Sequence, residues 1–372
     1  MLDRPTDDEQ SQLNEAEAER PNSTLAEGFF VSVSGWPDED SARRFGSCIW
    51  ALAHELSRYL NLSRLERIFI AWDYEDAVSS VDRGEGYDPA SVTRNEYGQG
   101  GGIAIHTVRD GELKHVVVMH AGLVEQLADP DHPDYYRGLH FLIHELSHVS
   151  DLSLLSDTFP GGWQAATGRD GRESVLIPVV NSCQSEYLAQ RRAAWAAPQQ
   201  GLLLLDMLSQ AMADVDRQIR TARTQYRSHG NMDVFWPEVA QRTSFLFYAL
   251  GLVLGHTDWV AEEAERHPEL MAQYQAKLEQ VAKLPSGWLI DVCREAVQPF
   301  WMMERWTGME VFEPLLIALE RFLNQYSIYT RPNGDGVWID MPINSIRETI
   351  EAYHDEAALR IRDAIRSMRF GS

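Results

Sequence analysis

The stretch Gly138-Leu-His-Phe-Leu-Ile-His-Glu-Leu-Ser-His-Val-Ser-Asp151 decides how this chain is read. Leu139, Leu142, Ile143, Leu146 and Val149 recur at spacings of three or four, which predicts a helix with an apolar side. Pro133, a few residues upstream, suits a first helical position. On such a helix His144 and His148 stand one above the other, so both imidazoles can reach a single ion. The run His144-Glu145-Leu146-Ser147-His148 therefore fits H-E-x-x-H. Neutral imidazole is a good zinc ligand, and two of them leave room for a third protein ligand and a water. Glu145 is rotated away from the ligand face, where it can take a proton from that water as a general base rather than bind the ion.

A third ligand has to come from downstream. Glu186, in Ser185-Glu-Tyr-Leu-Ala-Gln190, is the leading candidate, because a carboxylate facing inward there is costly unless it meets a cation. Glu173 competes, but it falls in a stretch that reads as loop. Asp151 shares the ligand face three residues after His148 and fits an acceptor for a ligand imidazole. His140 lies one turn before His144 and reads as a neighbour, since three histidines in a row cannot all ligate one tetrahedral ion. His120 reads as structural. Tyr248 and His256 flank an apolar run and are candidates for stabilising an oxyanion.

Working outward, Asp40 to Leu60 is helical by spacing and Arg67 to Trp72 is a short β-branched strand. Ile103 to Val108 and His115 to His120 read as two strands joined at Asp110-Gly111, an antiparallel hairpin signal. Gly98 to Gly102 reads as a mobile loop beside the cleft, because no Gly-Lys-Ser/Thr follows it. Residues 152–181 read as a long loop, and a helix is expected from Ser182 through Trp195. Beyond Pro198 the segments 201–227, 234–255, 258–283, 287–305 and 310–325 are helical in pattern. A short strand is expected at Val337 to Asp340 and a final helix over 344–368. The expected fold is α+β, with a small sheet and a metal-bearing helix in front and a mainly α-helical C-terminal half.

Composition bounds the partners. A formal net charge of -23 over 372 residues favours solubility and disfavours nucleic acid and anionic membrane as partners. Part of the acidic excess sits in residues 1–27 (Asp7, Asp8, Glu9, Glu15, Glu17, Glu19), which read as a disordered tail. The start MLDRPTDDEQ lacks a signal-peptide pattern, and the longest apolar run, Phe245 to Leu254, is too short to span a bilayer. Cys48, Cys183 and Cys293 form no CxxC pair, which fits a reducing, cytoplasmic setting. There is no Gly-x-Ser-x-Gly elbow.

His144-Glu145-x-x-His148 with a downstream helix carrying Glu186-x-x-Ala189 resembles the zincin superfamily, and within it the gluzincin branch. The resemblance covers residues 40–197. A zincin-like catalytic domain is expected over 28–198, with 199–372 as a mainly helical domain closing the cleft. The resemblance implies zinc held by His144, His148 and Glu186, Glu145 as general base, and a peptide or protein substrate pairing with the strand at 115–120. Two features depart from the family pattern: Ser185 stands where the family has Asn, and the interval from His148 to Glu186 is longer. The expected activity is that of a zinc metalloendopeptidase. The alternatives are a zinc hydrolase of small amides or short peptides, and a degenerate zincin scaffold that binds a protein partner.

Overall fold

A computed structural model describes residues 21–342 apart from 93, 96, 165, 167 and 335. Residues 1–20 of the acidic tail and the helix expected over 344–368 lie outside the described residues. The fold is α+β, and the chain divides into two compact units, Met1–Gly162 and Trp163–Ser372.

The first unit runs β1 (Phe30–Ser34), α1 (Glu39–Leu56), β2 (Leu65–Ala71), α2 (Tyr74–Ser79), β3 (Arg94–Asn95), β4 (Gly98–Gln99), β5 (Gly102–Arg109), β6 (Glu112–His120) and α3 (Tyr135–Thr158). Asp38 starts α1 by accepting the Ser41 N–H at 2.8 Å, and the helix buries Phe45, Ile49 and Ala53. Its four-stranded sheet has the order β1-β2-β6-β5, with β1, β2 and β6 parallel and β5 antiparallel. The β5–β6 hairpin closes through Asp110 and Gly111, both at positive φ (53° and 79°), the backbone that a tight two-residue turn requires.

Two sequence expectations change here. The strand at 115–120 is not an edge: β6 is hydrogen-bonded to β2 on one side and β5 on the other, so the antiparallel edge is β5. The reason is legible in β6 itself, where Val116, Val117, Val118 and Met119 are all fully buried, as an interior strand covered on both faces requires. The glycine run is not a loop throughout: Gly98–Gln99 pairs with Arg94–Asn95, and Gly102 opens β5.

One face of the sheet puts Ile105, Val116 and Val118 against Tyr74, Ala77 and Val78 of α2. Strand alternation sends Val117, Met119 and, by register opposite Met119, Gly102 to the other face. On that face lies a cross-strand imidazole pair, His106 and His115, with ring centroids 5.0 Å apart. Burial holds both neutral, pushing His106 down to about 4 and His115 well below its usual value.

The second unit contains α4 (Gly171–Ala193), α5 (Gln200–His229), α6 (Met232–Glu262), α7 (Pro268–Val281), α8 (Leu289–Trp301), α9 (Glu313–Asn324) and the hairpin β7 (Tyr329–Asn333) with β8 (Gly336–Asp340). The long loop expected at 152–181 is largely helix. α3 continues to Thr158, and α4 begins at Gly171 with Pro178 inside it. Asp170 caps α4 by accepting the Glu173 N–H at 2.9 Å, and the Glu173 carboxylate reaches back to the Arg169 N–H at 2.6 Å.

α4 and α6 cross closely because α6 presents glycine at the contact. A Cβ on Gly251 would lie 2.3 Å from the Cys183 carbonyl oxygen, and one on Gly255 would lie 2.2 Å from that of Tyr187. The apolar run at Phe245 to Leu254 extends both ways into the 31-residue α6, which is long and apolar enough to cross a membrane. Two thirds of its apolar window (67%) is buried within the fold, the position of a core helix.

Candidate metal centre

The histidines sit on α3, and their placement follows from how that helix is packed. Leu142, Leu146 and Val149 are fully buried, which fixes the helix by its apolar side. Serine is tolerated inside it because Ser147 donates to the Ile143 carbonyl at 2.7 Å and Ser153 to the Val149 carbonyl at 2.8 Å. His144 and His148 then project from one face, four residues apart.

Their rings stand nearly perpendicular (87°), with centroids 4.7 Å apart, and the two Nε2 atoms approach to 3.1 Å. Two nitrogens each about 2.1 Å from one tetrahedral ion stand roughly 3.4 Å apart. The pair is therefore set either to share one proton or to share one ion. Burial pushes His144 down to about 4, leaving it neutral and able to offer a lone pair near pH 7.

Glu145 is 9% exposed, so its carboxylate is largely withdrawn from solvent. It lies against the first residue of β5: a Cβ on Gly102 would be 2.3 Å from Glu145 Oε1. Tyr74, on α2, is a neighbour the sequence did not single out. Burial, then the charge of Glu145, raises its phenol above the ordinary range. Asp151 follows on the histidine face and is 6% exposed. His140 is buried, its ring 6.4 Å from that of His144 and close to parallel with it.

The other sequence candidates fall as follows. Glu186 is on α4, 9% exposed, beside the fully buried Tyr187. Glu173 is engaged by Arg169, whose Nε donates to its Oε1 at 2.5 Å. His120 caps the turn after β6, its Nδ1 accepting the Gly122 N–H at 3.0 Å, with Trp72 and Tyr74 edge-on to the ring. His256 is fully buried, with Nδ1 3.1 Å from Gln190 Oε1 and Nε2 2.9 Å from the Pro198 carbonyl oxygen. Those bonds give it the role of a brace between α6 and the end of α4. Tyr248 stacks on Phe245, with centroids 5.9 Å apart.

The residue that sequence reading missed is Gly102. Its signal was the glycine run itself, a hint of close backbone approach that gains meaning only once Glu145 is seen against it. No family model matches the chain, and neither the curated proteins nor the solved structures contain a match to it.

Proposed function

We propose that this chain is a metal-dependent hydrolase acting on peptide bonds, with a divalent ion, zinc by its donor chemistry, held by His144, His148 and Glu186. The observation that carries the reading is the 3.1 Å approach of the two imidazole Nε2 atoms with the withdrawn Glu145 beside them on the same helix. Glu186, on α4 of the second unit, is the third ligand that the resemblance implies, and its burial suits a carboxylate meant for a cation. Two neutral imidazoles and one carboxylate make a donor set that suits zinc and leaves a coordination position open. Asp151, on the same helix face, is the proposed acceptor that orients a ligand imidazole. The reading carries the resemblance to gluzincins with it.

When bound, the ion would supply a Lewis acid that acidifies a water molecule and polarises the scissile carbonyl. Glu145 does the proton work. Its carboxylate accepts the proton as the water attacks the carbonyl carbon, then hands it to the leaving nitrogen as the C–N bond breaks.

The proposed substrate class rests on the outer side of β5, which pairs with no further strand among the described residues. On its outer side the Val108 N–H donates to the Arg83 carbonyl at 3.0 Å, and the His106 carbonyl accepts from Arg83 Nε at 3.1 Å. By strand alternation Gly102 and Ala104 turn their peptide groups to that same side, while Glu145 packs on the strand's face at Gly102. An extended peptide adding there would bring its backbone alongside the proposed base. The test is hydrolysis of dye-labelled casein. Chelation should abolish it and returned zinc should restore it; cleavage that survives complete metal removal would reject the proposal.

A further inference from the structure

We infer that Gly102 is the positioning residue for Glu145, an inference that rests on the hydrolase reading above. A Cβ on Gly102 would lie 2.3 Å from Glu145 Oε1, 2.5 Å from Cδ and 2.8 Å from Cγ. The whole end of the Glu145 side chain therefore lies in the volume that any other residue at this position would fill. Backbone conformation gives no reason for glycine here, since Gly102 is not among the glycines of positive φ. Space is the reason that remains.

Neither backbone can give way easily. β5 is held at this end by the His120 N–H donating to the Gly101 carbonyl at 2.7 Å and by pairing of Gly102 with the fully buried Met119. A Cβ on Gly101 would in turn meet Leu123 Cδ1 at 2.5 Å, so the neighbouring residue is packed just as closely. α3 is fixed by the buried Leu142, Leu146 and Val149. What can move is the Glu145 side chain, through rotation about its own χ angles. A methyl group at 102 should therefore leave the fold standing and displace the carboxylate. The glycine keeps the base against the face of β5 at the strand's first residue, and so sets where a proton can be taken.

The test uses the full chain carrying Gly102→Ala, its crystal structure and its kinetics on dye-labelled casein beside wild type. The carboxylate of Glu145 should shift by about 1 Å or more with His144 and His148 in place. Casein kcat should fall roughly 100-fold, as expected for a misplacement of that size, with KM and bound metal unchanged. A variant structure with the carboxylate unmoved would overturn the inference. So would a displaced carboxylate with full kcat. If wild type itself cleaves no casein, the hydrolase reading fails, and the position of the carboxylate in the variant structure still decides whether Gly102 sets it.

Discussion

Replacing Glu145 by Gln should leave the metal bound and the fold unchanged while lowering kcat on casein by about 10²- to 10⁴-fold, the range that a positioned general base contributes. The substitution changes one atom's chemistry and almost none of its shape. Glutamine fills the same space against Gly102, so the close packing there is kept. It cannot accept a proton from water at neutral pH, so only the proton transfer is lost. Because Glu145 is not among the proposed ligands, metal content should match wild type. Parallel measurement of kcat, KM and bound metal checks this. A Glu145→Gln protein that turns over at the wild-type rate removes Glu145 from the mechanism, and one that loses its metal makes Glu145 a ligand instead.

The second large effect is on folding. Gly251→Val should destabilise the protein by at least about 3 kcal/mol, at the upper end of what overpacking costs. The added side chain would meet main chain: the Cβ alone lies 2.3 Å from the Cys183 carbonyl oxygen, 2.9 Å from its Cα and 3.0 Å from its carbonyl carbon. No rotamer relieves a contact made by Cβ, so α4 and α6 would have to separate and open the core of the second unit. Gly46, inside α1, is the internal control, because a Cβ there meets nothing within 4 Å. Gly46→Ala should be neutral or stabilising by up to about 1 kcal/mol. Denaturant unfolding of the three proteins checks the pair. Equal stability for Gly251→Val and wild type would mean that the α4–α6 crossing is looser than its glycines imply.

Gly251 and Gly102 illustrate what a single sequence does and does not disclose. The His144 to His148 spacing is legible because helix geometry turns four residues into one face, and the Asp110-Gly111 turn is legible because it needs positive φ at both positions. Partners distant in sequence are not. Nothing local says that Gly251 faces Cys183 or that Gly102 faces Glu145. Strand order is hidden for the same reason: β1, β2 and β6 pair in parallel through long connections, so β6 reads as an edge until its second neighbour is known. β1 itself, Phe-Val-Ser-Val-Ser, is short and only partly buried, although Gly28 and Gly35, both at positive φ, bracket it.

The start of α4 carries a local signal set among loop-forming residues. Asp170 is an N-cap that accepts the Glu173 N–H, but Gly161, Gly162, Gly168 and Pro178 around it argue for loop. Pro178 is accommodated inside α4 because the surrounding residues Leu176, Ile177, Val179 and Val180 are buried, and packing outweighs local propensity. The same burial explains why Glu186 could be singled out as inward-facing while its surroundings could not be named.

The most direct test of the central claim is metal stoichiometry. Wild-type protein purified from zinc-replete medium should carry about one equivalent of zinc per chain, and His144→Ala and His148→Ala should each lose nearly all of it, with Glu186→Ala clearly weakened. Wild type without stoichiometric metal, or histidine variants that keep it, would contradict the account.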